Sequence, residues 1–281
     1  MTAASGAFPT TPAATPFDAA ERRIWAGRAD AYARTYARLC AHPVDALLDA
    51  AGVGPGSRVL DVGCGSGTVS AAAVARGAAA YAADAEPGMV EATRRAVPGV
   101  DARLAQLPEL PYPDDQFDAV LGNFVLNHVG RPLPALKELR RVTRPGGRVA
   151  VTVWCSPGAP GQALIGRAAQ AAGLTRPDWL PALAPEHDFP RTPQGLAALL
   201  DAAGFPGAEC SEVAWEHLTG ADGWWAGAEH GIGAIGQVVN SRGPEGVAEA
   251  RRAYDGLCAE FRTLDDQLAL PHRALLACGR A

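Results

Sequence analysis

Between Arg58 and Trp154 short apolar runs alternate with stretches of helical period. Arg58–Val62, Ala79–Ala83, Ala102–Leu104, Ala119–Gly122 and Arg148–Trp154 read as strands. Val69–Arg76, Gly88–Ala96 and Leu133–Thr143 read as helices between them. Strands separated by helices predict a parallel sheet covered on both faces. The stretch "RPGG", Arg144 to Gly147, is expected to stop the last helix and open the next strand. Arg140, Arg141 and Arg144 suit the negative end of that helix and are expected to be a solvated face. Ahead of the alternation, Phe17–Cys40 predicts one helix with Trp25, Ala29, Tyr32, Tyr36 and Leu39 on a single stripe. Val44–Ala51 is a second helix, closed by the turn "AGVGPGS".

Beyond Trp154 the pattern loosens. Residues 156–190 are rich in proline and glycine around one short helix, and predict a lid-like insertion. "TPQGLAALLDAAGF" has a capping Thr192 and a stopping Gly204. A strand near Glu209–His217, helices over Gly223–Val238 and Pro244–Phe261, and a strand near Gln267–Cys278 complete the chain. The expected organisation is a disordered tail over 1–16 and one domain over 17–281. Within it, 17–56 forms the N-terminal helices, 57–155 one half of the sheet, 156–190 the lid, and 191–281 the second half.

Composition narrows the function. The net charge of −5 leaves no basic excess for nucleic acid or an acidic membrane surface. No apolar run approaches the roughly 20 residues of a membrane span. The six cysteines are scattered without metal-ligand spacing, which predicts reduced thiols of a cytoplasmic protein and no metal.

The candidate chemistry lies in "RVLDVGCGSGTVS", residues 58–70. Gly63, Gly65 and Gly67 allow a tight strand-to-helix turn and close approach of a ligand to the backbone. Dinucleotide enzymes use G-x-G-x-x-G. Here Thr68 stands where the third glycine would fall, and Asp61 ends the strand. A carboxylate there disfavours a pyrophosphate and favours an ammonium group. Asp84 follows 23 residues later, where an acidic side chain can accept from ribose hydroxyls.

"VLDVGCGSG", "AADAEPGMV", "LPYPDDQFDAVLGNFVLNHV" and "LKELRRVTRPGGRVAVTVW" occur in an order that resembles the class I S-adenosylmethionine-dependent methyltransferases over roughly residues 20–155. The resemblance implies a doubly wound, Rossmann-like α/β sheet of seven strands with the last antiparallel. It also implies an N-terminal helical cover. S-adenosylmethionine is the implied cofactor. Asp61, Gly63, Cys64, Gly65 and Gly67 would wrap its methionine part, with Asp84 on the ribose and Ala85 and Met89 as further cofactor contacts. Gln106 stands where the family often has an acidic adenine partner; its amide oxygen can still accept, and Leu107 offers a backbone N–H. Asn123, Phe124 and Tyr36 complete the expected contacts.

The implied reaction is in-line methyl transfer to an oxygen, nitrogen or carbon of a small molecule, with catalysis mainly by positioning. His128 in "FVLNHV" is the leading candidate base, with local packing as the alternative; His187 and His230 follow. Tyr32, Asn127, Trp224 and Trp225 are candidate acceptor contacts. The loosely patterned C-terminal region suggests natural-product tailoring by a monomer or homodimer. Two rivals stay open: the same fold catalysing a cyclisation without methyl transfer, and a non-enzymatic cofactor-binding partner protein.

Overall fold

The computed structural model describes residues 14–281. The expected disordered tail therefore lies outside the described residues except at its end, where it is corrected. Thr15 accepts from the Asp18 N–H and Asp18 accepts from the Thr15 N–H, a reciprocal cap that opens helix α1, Pro16–Trp25. Order thus begins two residues sooner than expected. The single helix expected over Phe17–Cys40 is three: α1, then α2 (Ala29–Arg34) and α3 (Ala37–Ala41). Gly27, in the left-handed region at φ +70°, breaks the first junction. At the second, Thr35 leaves helical geometry while its hydroxyl bonds back to the Ala31 carbonyl.

Helix α4 (Val44–Ala50) leads into strand β1 (Arg58–Val62). There follow α5 (Thr68–Ala75), β2 (Ala79–Asp84), α6 (Pro87–Ala96), β3 (Asp101–Leu104), β4 (Phe117–Asn123), α7 (Pro132–Val142) and β5 (Thr143–Trp154). Helices α8 (Pro160–Ala171) and α9 (Pro193–Ala202) precede β6 (Glu209–Thr219). Helices α10 (Ala221–Glu229), α11 (Gly233–Val239) and α12 (Gly243–Leu257) precede β7 (Leu268–Arg280). The sheet order is β3-β2-β1-β4-β5-β7-β6, parallel through β5, with β7 antiparallel to both neighbours. The chain builds outward from β1 in one direction, then returns to begin β4 on its other side. That reversal opens a crevice at the carboxyl ends of β1 and β4, where ligands bind in such sheets.

Two expectations at the amino end of β5, the edge of the sheet away from the crevice, are corrected. "RPGG" does not end before the strand; β5 begins at Thr143 and runs through it, paired to β4 across a register shift. The three arginines are clasps as well as a solvated face: Arg144 stays exposed, but each guanidinium is engaged. Arg141 donates to the Leu110 and Tyr112 carbonyls and pairs with Glu138 and Asp114. It thereby holds the loop between β3 and β4. Arg140 donates to the Gly204 carbonyl, and Arg144 pairs with Asp118.

The insertion over 156–190 is half core. Helix α8 buries Leu164, Ile165, Ala168 and Ala169, and a Cβ on Gly161 would meet the Leu270 and Pro271 backbone at 2.6–2.8 Å. The remainder closes over α1, with Leu180 against Ala20 and Ile24 and the Arg23 guanidinium 3.9 Å above the Trp179 ring. The helix expected over Gly223–Val238 is split by Gly231 into α10 and α11.

Within α10, a Cβ on Gly227 would land inside the Tyr36 ring. Helix propensity favours alanine there by about 1 kcal/mol, but overpacking costs about 1–3 kcal/mol. Gly227→Ala is therefore expected to lower the urea midpoint; an unchanged or raised midpoint would show that Tyr36 has room to yield.

Candidate active site

A cavity of about 850 Å³ occupies the crevice, roofed by α1 to α3. At its floor the chain turns from β1 into α5. Gly63 has φ +70°, and a Cβ on it would lie 2.6 Å from Val125; at Gly65 a Cβ would crowd the Tyr32 ring at 3.2 Å. The turn is tied to β2 by Asp84, whose Oδ2 accepts from the Gly65 N–H (2.9 Å) and whose Oδ1 accepts from the Glu86 N–H (3.0 Å). Burial raises its carboxyl above the usual range against those hydrogen bonds. Gly63, Gly65, Asp84, Ala85 and Met89 all line the cavity.

Asp61, Cys64 and Gly67 do not line it. Asp61 is 1% exposed; its Oδ2 accepts from the Ser70 N–H (3.0 Å) and hydroxyl (2.7 Å), capping the start of α5. Its Oδ1 has no partner among the described residues, and burial pushes the carboxyl up to about 7. Cys64 points into the core and its sulfur accepts from Thr93. Gly67 is the residue before α5 and packs on Thr93.

Gln106 and Leu107 form another wall. The Gln106 Oε1 already accepts from Arg22 (2.9 Å), so α1 uses one of its lone pairs. Asn123 lines the cavity but spends its amide on structure: Nδ2 donates to the Cys40 carbonyl (2.8 Å) and Oδ1 accepts from Thr152 (2.7 Å). It bolts the helical roof to the strand tips. Phe124, at φ +61°, stacks on Trp154 with centroids 4.0 Å apart.

His128 lies in the one-turn helix Val125–His128 after β4 and lines the cavity. Its Nδ1 is 2.8 Å from Glu21 Oε2, and the same carboxylate accepts from Trp25 Nε1 at 3.1 Å. The Trp25 ring meets the imidazole edge-on at 5.1 Å. A carboxylate on Nδ1 holds the proton there and leaves Nε2 as the basic nitrogen. Asn127 lines the cavity beside it, its Nδ2 donating to the Phe124 carbonyl. Sequence reasoning missed Glu21, although it sits four residues before Trp25 and so extends the same stripe.

His187 and His230 do not line the cavity. His187 occupies a turn in the insertion, and the His230 Nδ1 bonds to the Ala226 carbonyl at the exposed end of α10. Trp225 is a third correction. Neighbours on a helix point about 100° apart, so Trp224 faces the cavity while Trp225 packs on Tyr254 in the core. Tyr32 and Tyr36 both line it, and burial raises both phenols well above their ordinary range.

Beyond Trp224 stands a group that local pattern did not reveal. His272, at the start of β7, lines the cavity, and the buried His217 hydrogen-bonds His42 at 3.2 Å behind it. Because β7 runs antiparallel, its first residues lie beside the last of β5. Burial pushes His217 and His272 each down to about 4 from the usual 6.5. Unfolded imidazoles bind protons that the folded ones refuse, so this contribution is full above about pH 6.5 and is lost toward pH 4. The buried Asp61 acts oppositely, as one group. Against wild type, His217→Gln is expected to lose less of its urea midpoint between about pH 7 and about pH 4.5. Identical losses in the two proteins would refute the assignment.

An acidic residue tied to the glycine turn at the end of β2 and an apolar roof fit S-adenosylmethionine. The fold and this arrangement define the class I S-adenosylmethionine-dependent methyltransferases, and the chain belongs to that family. A methyltransferase-domain family matches residues 60–151. A demethylmenaquinone methyltransferase of Beutenbergia cavernae is 37% identical over 184 residues, covering 62% of this chain and 74% of that protein. One of Clavibacter sepedonicus is 44% identical over 108 residues, covering 37% of this chain and only 44% of that protein. Among solved structures, the YcgJ protein of Bacillus subtilis shares the fold at TM-score 0.53 and 18% identity, over 85% of this chain and 97% of that one.

Proposed function

We propose that this protein transfers a methyl group from S-adenosylmethionine to a flat, ring-bearing small molecule, with His128 as the base. One observation carries the reading: a single cavity is lined by the Asp84-tied glycine turn, the Glu21-paired His128 and a wall of aromatic rings. When bound, the cofactor supplies an electrophilic methyl on a sulfonium. Asp84 would hold the ribose, Gly63 and Gly65 the methionine part, and Met89 and Leu107 the adenine faces. Trp25 and the α1 roof would exclude water, and His128 Nε2 would take the acceptor's proton while Glu21 stabilises the imidazolium that forms. The relatives' names concern demethylmenaquinone; the aromatic wall supports an acceptor of comparable flatness.

We also read residues 17–281 as one domain whose 156–190 segment helps to shape the acceptor end. We further propose that it acts in the cytoplasm, in natural-product tailoring. Six free cysteines support the reducing compartment, and among the described residues no helix is long and apolar enough to cross a membrane. The test combines calorimetry with S-adenosylhomocysteine and mass spectrometry of 2-naphthol and indole incubated with S-adenosylmethionine. Expected are clear heat and a product heavier by one methylene. Heat with S-adenosylhomocysteine but no methylated product would count against methyl transfer to such rings; heat only with a nicotinamide dinucleotide would overturn the class.

A further inference from the structure

One wall of the cavity is a continuous aromatic arc. Ring centroids step from Tyr36 to Trp224 (5.2 Å), Trp224 to His272 (5.4 Å), His272 to Trp154 (6.1 Å) and Trp154 to Phe124 (4.0 Å). All five residues line the cavity. An apolar arc alone would accept any flat hydrocarbon. Three polar atoms set in it have no protein partner among the described residues.

His272 is 2% exposed, and its Nδ1 lies 2.8 Å from the Leu270 carbonyl. A carbonyl only accepts, so Nδ1 carries the proton and Nε2 is left with a lone pair. Burial keeps the ring neutral down to about pH 4, so it remains an acceptor under physiological conditions. The Tyr36 hydroxyl and the Trp224 indole N–H are buried donors without partners. Leaving such groups unmatched is costly, and a ligand of matching polarity would recover that cost.

We propose that the acceptor is a hydroxylated aromatic ring, seated in this arc with its O–H donating to His272 Nε2; the methyl passes from sulfur to a ring carbon beside that hydroxyl, and His128 Nε2 takes the proton that this carbon sheds. An oxygen on the ring takes the donors of Tyr36 and Trp224. The inference rests on the methyltransferase reading and adds the substrate's polarity. His272 acts here as a specificity residue and not as the base: its Nδ1 is held by a carbonyl, whereas the Nδ1 of His128 meets the Glu21 carboxylate that would stabilise an imidazolium. A hydrogen-bonded site of this kind discriminates strongly against an analogue lacking the hydrogen.

The test uses full-length protein saturated with S-adenosylhomocysteine and compares binding of 2-naphthol with 2-methoxynaphthalene by calorimetry. Wild type is expected to prefer the naphthol by at least about tenfold. His272→Phe should abolish the preference and His272→Gln, which retains an acceptor, should restore part of it, both with S-adenosylhomocysteine affinity unchanged. Equal binding of the two probes by wild type, or no naphthol binding, would overturn the proposal without touching the methyltransferase reading. That comparison needs no variant, so it decides the matter even if His272→Phe fails to fold. Loss of S-adenosylhomocysteine heat in wild type would instead sink the reading beneath it.

Discussion

Asp84→Ala is expected to weaken S-adenosylhomocysteine binding about a hundredfold, and by no less than about tenfold. Two effects add. The variant loses the carboxylate placed for the ribose hydroxyls. It also leaves the Gly65 and Glu86 N–H groups without acceptors, at about 1–3 kcal/mol each. The turn that should wrap the methionine part would then lose its tie to β2. Calorimetry on the purified variant measures the change, and the urea midpoint separates lost affinity from lost folding. An affinity within threefold of wild type would mean that the ribose sits elsewhere.

His128→Ala is expected to lower kcat for 2-naphthol by about a hundredfold or more, with S-adenosylhomocysteine affinity retained. Glu21→Gln should cost less, about tenfold, because the amide still holds the ring but no longer stabilises its cation. A positioning role for Glu21 predicts more than a slower enzyme: kcat should fall while KM for 2-naphthol stays unchanged. Steady-state rates across a range of naphthol concentrations read both. If His128→Ala turns over at the wild-type rate, transfer proceeds by alignment alone and the His128–Glu21 pair is only a roof contact.

The sheet was legible because its signals are local. Val59 to Val62, the glycine turn and Asp84 lie in one continuous pattern, and the alternation of strand and helix dictates which ends face the crevice. What the pattern hid was set by distant partners. Asn123 stands at a strand tip, yet its amide is consumed by Cys40 and Thr152. Asp61 ends its strand beside the turn, yet one oxygen caps α5. Glu21 was legible as a position on the α1 stripe but not as a partner of His128, 107 residues away. Trp224 and Trp225 were equal candidates until α12 supplied a core for one of them. His272 carries no local mark at all; only the reversed direction of β7 brings it to the cavity.

The clasp made by Arg141 has a thermodynamic corollary. Gln106 and Leu107 sit on a connection whose carbonyls at Leu110 and Tyr112 are gripped from behind by that guanidinium. Free energies of two events sharing one element must be reciprocal. A nucleoside pressed against the front would therefore make the grip harder to break, and loosening the grip would tax the nucleoside by an equal amount.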